Sequence, residues 1–421
     1  MTLDDVCEFV VDCEHKTAPI AADGYPSIRT PNIGRGRLIL AGANRVSEET
    51  YREWTRRKVP TEGDLILARE APVGNVAMIP PGLKVCLGQR TVLIRPDKSR
   101  IDPNYLLYLL LGSDVQGRIR LIATGATVGH LNVKDIRELE LPVLAPVPDQ
   151  RKIGAILSSY DDLIENNKRR IRILEDMART IFMAWFVKLR FPGYDGVPSL
   201  NSKNGNIPEG WELTTLDSVL AELEAGSRPA GGVGEIDEGV PSIGAENILG
   251  LGQYNYGIEK FVSRDFYESM RRGHVKSGDV LLYKDGAKIG RKSLFRDGFP
   301  HQTCCVNEHV FILRSNEHCA QSYLYFWLDQ PKITQDIRNL NANAAQPGIN
   351  QQSVRNLPIL LPPIDLVTAF DETIEAVLAL LFDLAKKNRL LQQIRDALLN
   401  RLVSGELDVS DLDFKVEDDK S

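Results

Sequence analysis

The sequence predicts an α+β protein: two pseudo-symmetric, strand-rich domains separated by two long helices that form an antiparallel coiled coil. Three observations predict it. First, Pro26-Ser27-Ile28 recurs as Pro241-Ser242-Ile243, Asn32-Ile33 as Asn247-Ile248, Arg56-Arg57 as Arg271-Arg272 and Gly63-Asp64 as Gly278-Asp279, all at an offset of 215 residues. That period is far too long for a solenoid repeat and implies a duplicated domain. Second, the hydrophobic rhythm after each copy changes to the alternating four-and-three step of a coiled coil. Third, proline-rich stretches mark both handovers, PVLAPVP at 142–148 and LPPI at 361–364. Proline favours a first helical turn and disfavours a helix interior.

The first domain is expected over residues 1–148. Its short apolar runs, DLILA at 64–68, VAMIP at 76–80 and TVLIRP at 91–96, are bounded by Gly, Pro and Asn, the pattern of brief strands joined by turns. A helix over Asn104–Leu111 follows. The first long helix is expected over 149–190, with a seam of Ile153, Leu157, Tyr160, Ile164, Asn167, Ile171, Leu174, Ala178, Ile181 and Trp185. A Gly-, Pro-, Asn- and Ser-rich linker over 191–207 leads to the second domain, 208–363. There, DVLLY at 279–283 and HVFILR at 309–314 read as strands, and Ser322–Leu328 as a helix.

The second long helix, 364–404, has the seam Val367, Phe370, Ile374, Val377, Leu381, Leu384, Asn388, Leu391, Arg395, Leu398 and Leu402. Arg395 breaks the apolar rule, and Ile394 beside it is the expected substitute. Each seam carries one asparagine, Asn167 and Asn388, and a polar residue in such a seam fixes register at some cost in stability. Placing the two in one antiparallel layer sets Ile153 opposite Leu402 and Trp185 opposite Phe370. Residues 405–421 form an acidic tail expected to fray.

Composition narrows the function. No apolar run approaches membrane-spanning length, and the acidic N-terminus lacks the marks of a signal peptide, so cytoplasmic residence is expected. The six cysteines are irregularly spaced and read as buried thiols. His301, Cys304, Cys305, His309, His318 and Cys319 lie close in sequence but lack paired-ligand spacing, so no metal is expected. Of the net charge of −6, the segment 406–421 supplies five units, with seven acids against two lysines. The remainder is near neutral, and nucleic-acid binding would rest on local basic patches. There is no G-x-x-x-x-G-K-[ST] phosphate loop and no Asn/Asp-Pro-Pro-aromatic motif, and GGVG at 231–234 lacks the strand–helix context of a nucleotide fingerprint.

Several phrases recur in order: GDLILAREAPVGNV and GDVLLYKDGAKIGR, ATGATVGHLNVKDIRELELP and NANAAQPGINQQSVRNLPILLPP, with IPEGWEL opening the second half. With the duplication and the two helices, almost the whole chain resembles the specificity subunit of type I restriction–modification systems. The resemblance implies a non-catalytic, DNA-binding subunit with two target recognition domains. It implies two adenine-methyltransferase (modification) subunits and motor–nuclease (restriction) subunits as partners, with S-adenosylmethionine, ATP and Mg on those partners and no cofactor on this chain. A coiled-coil scaffold without DNA specificity, or a recognition-fused nuclease or methyltransferase, are the alternatives.

Reading double-stranded DNA needs cations for phosphates and fork-shaped donors or amides for base edges. The candidates in the first domain are Arg29, Arg56, Arg57, Lys58, Arg69 and Arg90, with Thr127 and His130 in the polar loop 123–130. Those in the second are Lys260, Arg264, Arg271, Arg272, Lys284, Lys288, Arg291 and Lys292, with Asn343 and Gln346 in the loop 339–348. The frames agree while these loops differ, so an asymmetric, bipartite target is expected. The matched seam from 153 to 185 spans about 50 Å at helical rise, which would set the half-site centres roughly one to one and a half DNA turns apart.

Overall fold

The computed structural model describes residues 1–123, 129–193, 199–202, 205–230, 232–233, 236–340 and 348–413. The chain forms two compact units, Met1–Ile164 with Leu391–Ser421, and Glu165–Leu390. Each unit thus combines one strand-rich domain with a segment of each long helix.

In the first unit the central sheet is built from β1 (Cys7–Asp12), β2 (Gly36–Arg37), β3 (Leu65–Ala68), β4 (Val76–Met78) and β5 (Thr91–Pro96), in the order β1-β5-β3-β4-β2. β3 is buried along its whole length, which explains a continuous apolar run rather than an alternating one. A small second sheet joins Tyr25–Ile28 to Arg45–Val46 and Cys86–Leu87. Helix α1 (Pro103–Leu111) begins where the Asp102 carboxylate accepts the Tyr105 N–H at 2.9 Å, with Pro103 in the first turn. It is followed by α2 (Ser113–Ile122).

The first long helix, α3, covers Val147–Phe182. Gln150 ties its start to the domain: Oε1 accepts the Asp102 N–H at 2.9 Å, and Nε2 donates to the Ala145 carbonyl at 2.8 Å. Gly154 permits the close approach of α3 to the start of α1. A Cβ there would lie 2.8 Å from Asp102 Oδ1 and 2.9 Å from Asn104 Cβ.

The second unit repeats the plan. Its sheet comprises β6 (Leu220–Ala225), β7 (Asp279–Tyr283), β8 (Lys292–Phe295) and β9 (Val310–Ser315), in the order β6-β9-β7-β8. Val240–Ile243 pairs with Phe261–Val262 and Cys305–Val306, as the equivalent segments do in the first unit. Helices α4 (Gln321–Asp329) and α5 (Pro331–Asn339) follow, and the second long helix, α6, covers Ile364–Val403. The stretch expected to be a linker contains an antiparallel strand pair, Ser199–Ser202 with Gly205–Pro208.

Within each unit the long-helix segments run antiparallel. In the second, Asn167 Nδ2 donates to Asn388 Oδ1 at 2.9 Å, and both residues are buried. Trp185 and Phe370 have ring centroids 6.0 Å apart in an edge-on geometry. In the first, Ile153 and Leu157 share a core with Leu399 and Leu402.

Three further details bear on the sequence expectation. Phe182 and Phe186, rather than Ile181 and Trp185, are the fully buried residues where α3 ends. An α-helix drifts about 20° per heptad from a seven-residue repeat, and the π-type turn Met183–Val187 adds to that drift. Phe186 then packs 4.8 Å from Tyr323 and 5.0 Å from Phe370. Arg395 is half-buried at its seam position, as is Ile394 beside it, and its guanidinium pairs with the Asp161 carboxylate. Asp161 also accepts the Tyr108 hydroxyl at 2.7 Å. The start of the tail does not fray: Val409 is buried in the first core, and Lys152 Nζ donates to the carbonyls of Val409 at 3.1 Å and Ser410 at 2.7 Å.

Candidate nucleic-acid interface

The two domains share one backbone plan at the ends of their central strands, as matched hydrogen bonds show. Arg69 N donates to Arg90 O at 2.9 Å, and Lys284 N to His309 O at 3.2 Å. Leu131 N donates to Arg69 O at 3.0 Å, and Ile349 N to Lys284 O at 2.8 Å. Arg69 is thereby equivalent to Lys284, Glu70 to Asp285, Arg90 to His309, and His130 to Gly348. Arg69 and Glu70 follow one central strand and Arg90 precedes its neighbour, as Lys284, Asp285 and His309 do in the second domain.

Around this edge the first domain has an open cleft of about 340 Å³, lined by His15, Arg69, Glu70, Gln89, Arg90 and His130. Glu70 links two of these lining residues. Arg90 Nε meets one Glu70 oxygen at 2.9 Å, and His130 Nδ1 lies 3.0 Å from the other. Arg90 is mostly exposed and has φ of +68°, a left-handed conformation uncommon for a non-glycine residue. In the second domain His309 Nδ1 lies 2.8 Å from Asp285 Oδ2.

The proposed DNA contacts occupy diverse positions. Arg29, Arg56, Arg57, Lys58 and Arg90 are exposed. Arg56 lies near Glu53 at 3.9 Å, Arg57 near Glu14 at 3.4 Å, and Lys58 lies 4.7 Å from the Phe9 ring centroid. In the second domain Lys260 pairs with Glu246 at 2.9 Å and Arg264 with Glu268 at 3.3 Å. Arg271, Arg272 and Lys288 are exposed and make no ion pair among the described residues. Lys284 and Arg291 are half-buried, with Lys284 Nζ 5.2 Å from the Phe311 ring centroid. Thr127, Asn343 and Gln346 lie outside the described residues.

Two candidates lie in the interior and require correction. Arg69 is 7% exposed, with Nη1 2.9 Å from Asp12 Oδ1 and Nε donating to Leu131 O at 2.8 Å. Lys292 is 6% exposed, with Nζ donating to Leu328 O at 2.8 Å and to Thr334 Oγ1 at 2.6 Å, and lying 3.5 Å from Asp329. Burial lowers its pKa to about 8 despite the carboxylate. Each of these side chains is committed to interior partners of its own domain, although Arg69 also borders the cleft. Sequence reasoning passed over Glu70 and Asp285, although both stood in the aligned phrases and share the 215-residue offset.

The histidine–cysteine cluster separates in space. His301 pairs with Glu259 and His309 with Asp285, while Cys304, Cys305 and Cys319 are buried. Burial pushes the Cys305 thiol up to about 11 and Cys319 to about 12. Among the described residues one trio, Asp12, Cys13 and His15, brings ligand atoms within 4.8 Å of one another. Asp12 is paired with Arg69 at 2.9 Å and with His15 at 3.0 Å, and burial raises the Cys13 pKa. No helix among the described residues is long and apolar enough to cross a membrane.

Residues 1–176 match the family model described as the type I restriction modification DNA specificity domain. The chain is 26% identical over 382 residues to the type I restriction enzyme MjaIX specificity subunit of Methanocaldococcus jannaschii, covering 89% of this chain and 84% of that protein. It is 23% identical over 409 residues to the type I restriction enzyme HindI specificity subunit of Haemophilus influenzae, covering 83% and 88%. Among solved structures, the type I restriction–modification system S subunit from M. genitalium has the same fold, with a TM-score of 0.57 at 16% identity over 96% of this chain and 95% of that one. With its duplicated strand-rich domains and antiparallel helix segments, the chain is similar over most of its length to specificity subunits of type I restriction–modification systems.

Proposed function

We propose that this chain reads an asymmetric, two-part duplex DNA sequence and performs no chemistry itself. Each strand-rich domain reads one half, and the long helices carry the docking surface for two modification subunits. Those subunits would bind S-adenosylmethionine and methylate adenine, and motor–nuclease subunits using ATP and Mg would join for restriction, in the cytoplasm. The observation that carries this reading is the pairing of one backbone frame with two different edges. Equivalent positions hold Arg69, Glu70, Arg90 and His130 in one domain and Lys284, Asp285, His309 and Gly348 in the other. Shared frames position the readers, and different side chains select different bases.

Arg271 and Arg272 are the phosphate-binding pair this reading favours, since both are exposed without an acidic partner among the described residues. In the assembled complex, Arg271→Ala with Arg272→Ala is expected to weaken DNA binding across all sequences. The slope of log affinity against log salt should fall by about one unit for each phosphate no longer neutralised. Fluorescence anisotropy across a salt series measures both effects. Unchanged affinity and slope would remove the pair from the interface.

A further inference from the structure

We propose that Glu70 and Asp285 are base-reading residues, each accepting a hydrogen bond from the N4 amine of a cytosine in its half-site. The inference rests on the DNA-reading assignment above and deepens it to one position per domain. Four observations converge on these two carboxylates. They are equivalent by strand register, so both copies retain an acid at the same place on the edge although the residues around it differ. They stay partly open, with side chains 20% and 25% exposed. Each is held by a base that also precedes the next strand, Arg90 at 2.9 Å and His309 at 2.8 Å. Glu70 faces the cleft that Gln89 and Arg90 line.

A brace role explains less. Arg69, the buried cation beside Glu70, is neutralised by Asp12, so the domain's interior does not need the Glu70 charge. A carboxylate offers about four acceptor sites, and the two observed partners leave Glu70 room for another donor. Fixing the side chain between Arg90 and His130 also pre-orients it, as a reading group requires.

The chemistry selects the base. A carboxylate is an acceptor only, and cytosine presents a lone amine donor to the major groove, whereas adenine sets an N7 acceptor beside its amine and guanine presents acceptors alone. Arg90 adds the fork that reads guanine O6 and N7, so the first domain's edge matches a C·G pair. In the second domain an imidazole stands in Arg90's place, and the reading there rests on Asp285.

The test uses the full complex in a host without other adenine methylation, with methylated sites mapped for the wild type, Glu70→Gln and Asp285→Asn. The wild-type motif should contain a C·G pair in each half. Glu70→Gln should reduce discrimination at one position of one half by about tenfold or more and leave the other half unchanged. Asp285→Asn should do the converse. A wild-type half without a C·G pair, or unaltered base preferences in both variants, would overturn the proposal. So would a uniform drop at all sites with no change of preference, which marks a brace. If Glu70→Gln fails to assemble, Asp285→Asn and the wild-type motif decide. Absence of any two-part motif in the wild type would instead defeat the DNA-reading assignment.

Discussion

Asp329→Ala is expected to destabilise the second unit by about 3–5 kcal/mol, the cost of stranding a buried charge. Asp329 accepts Arg179 at 2.8 Å and lies 3.5 Å from Lys292 Nζ. Arg179 keeps Glu175 at 3.0 Å and Asp176 at 3.1 Å, so Lys292 bears most of the effect. Three of the four tryptophans, Trp185, Trp211 and Trp327, lie in this unit, so urea melts followed by tryptophan fluorescence report on it. A midpoint shift worth less than about 1 kcal/mol would show that the cluster is not a stabilising centre.

The same lysine gives a pH signature. Its folded pKa is about 8 against an ordinary 10.5. Between these values the unfolded chain binds a proton that the folded chain does not, so stability rises with pH across the window. Its contribution is complete above about pH 10.5 and is lost as pH falls through 8. From pH 7 to 9.5 the gain should reach about 2 kcal/mol, and Lys292→Met should abolish it. An identical pH dependence in wild type and variant would contradict the assignment.

In the first unit the corresponding weak point is Asp161→Ala, expected to cost about 3 kcal/mol. Asp161 holds the Tyr108 hydroxyl at 2.7 Å and the Arg395 guanidinium, thereby joining α1, α3 and α6. Arg395 retains Asp396 at 2.7 Å, whereas Tyr108, 3% exposed, is left without the acceptor of its hydroxyl. Hydrogen exchange should show reduced protection over 153–164 and 391–402, with 170–185 largely unaffected. Equal reduction in both regions, or in neither, would contradict this local role.

The repeated frame was legible because strand cores are set by apolar runs and turns that survive duplication. DVLLY at 279–283 and TVLIRP at 91–96 match their strands end to end. The Asn167–Asn388 layer was legible because a heptad seam shows its polar interruptions. Charge placement was not. Arg69 follows four buried residues and Lys292 begins a fully buried strand, and nothing in a local pattern reveals that Asp12 or Asp329 waits inside for them. Arg395 misled for the same reason, since Asp161 lies on the other helix. The site's acids were overlooked because a search for DNA contacts selects cations, whereas a base edge is also read by acceptors.

The proposed pair of DNA readers should leave its mark on the methylation pattern. Mapping methylated adenines in a genome that carries this chain with the proposed modification partners tests that most directly. The expected result is one asymmetric motif of two specified parts separated by unspecified bases. A single contiguous motif, a symmetric one, or methylation without sequence preference would contradict it.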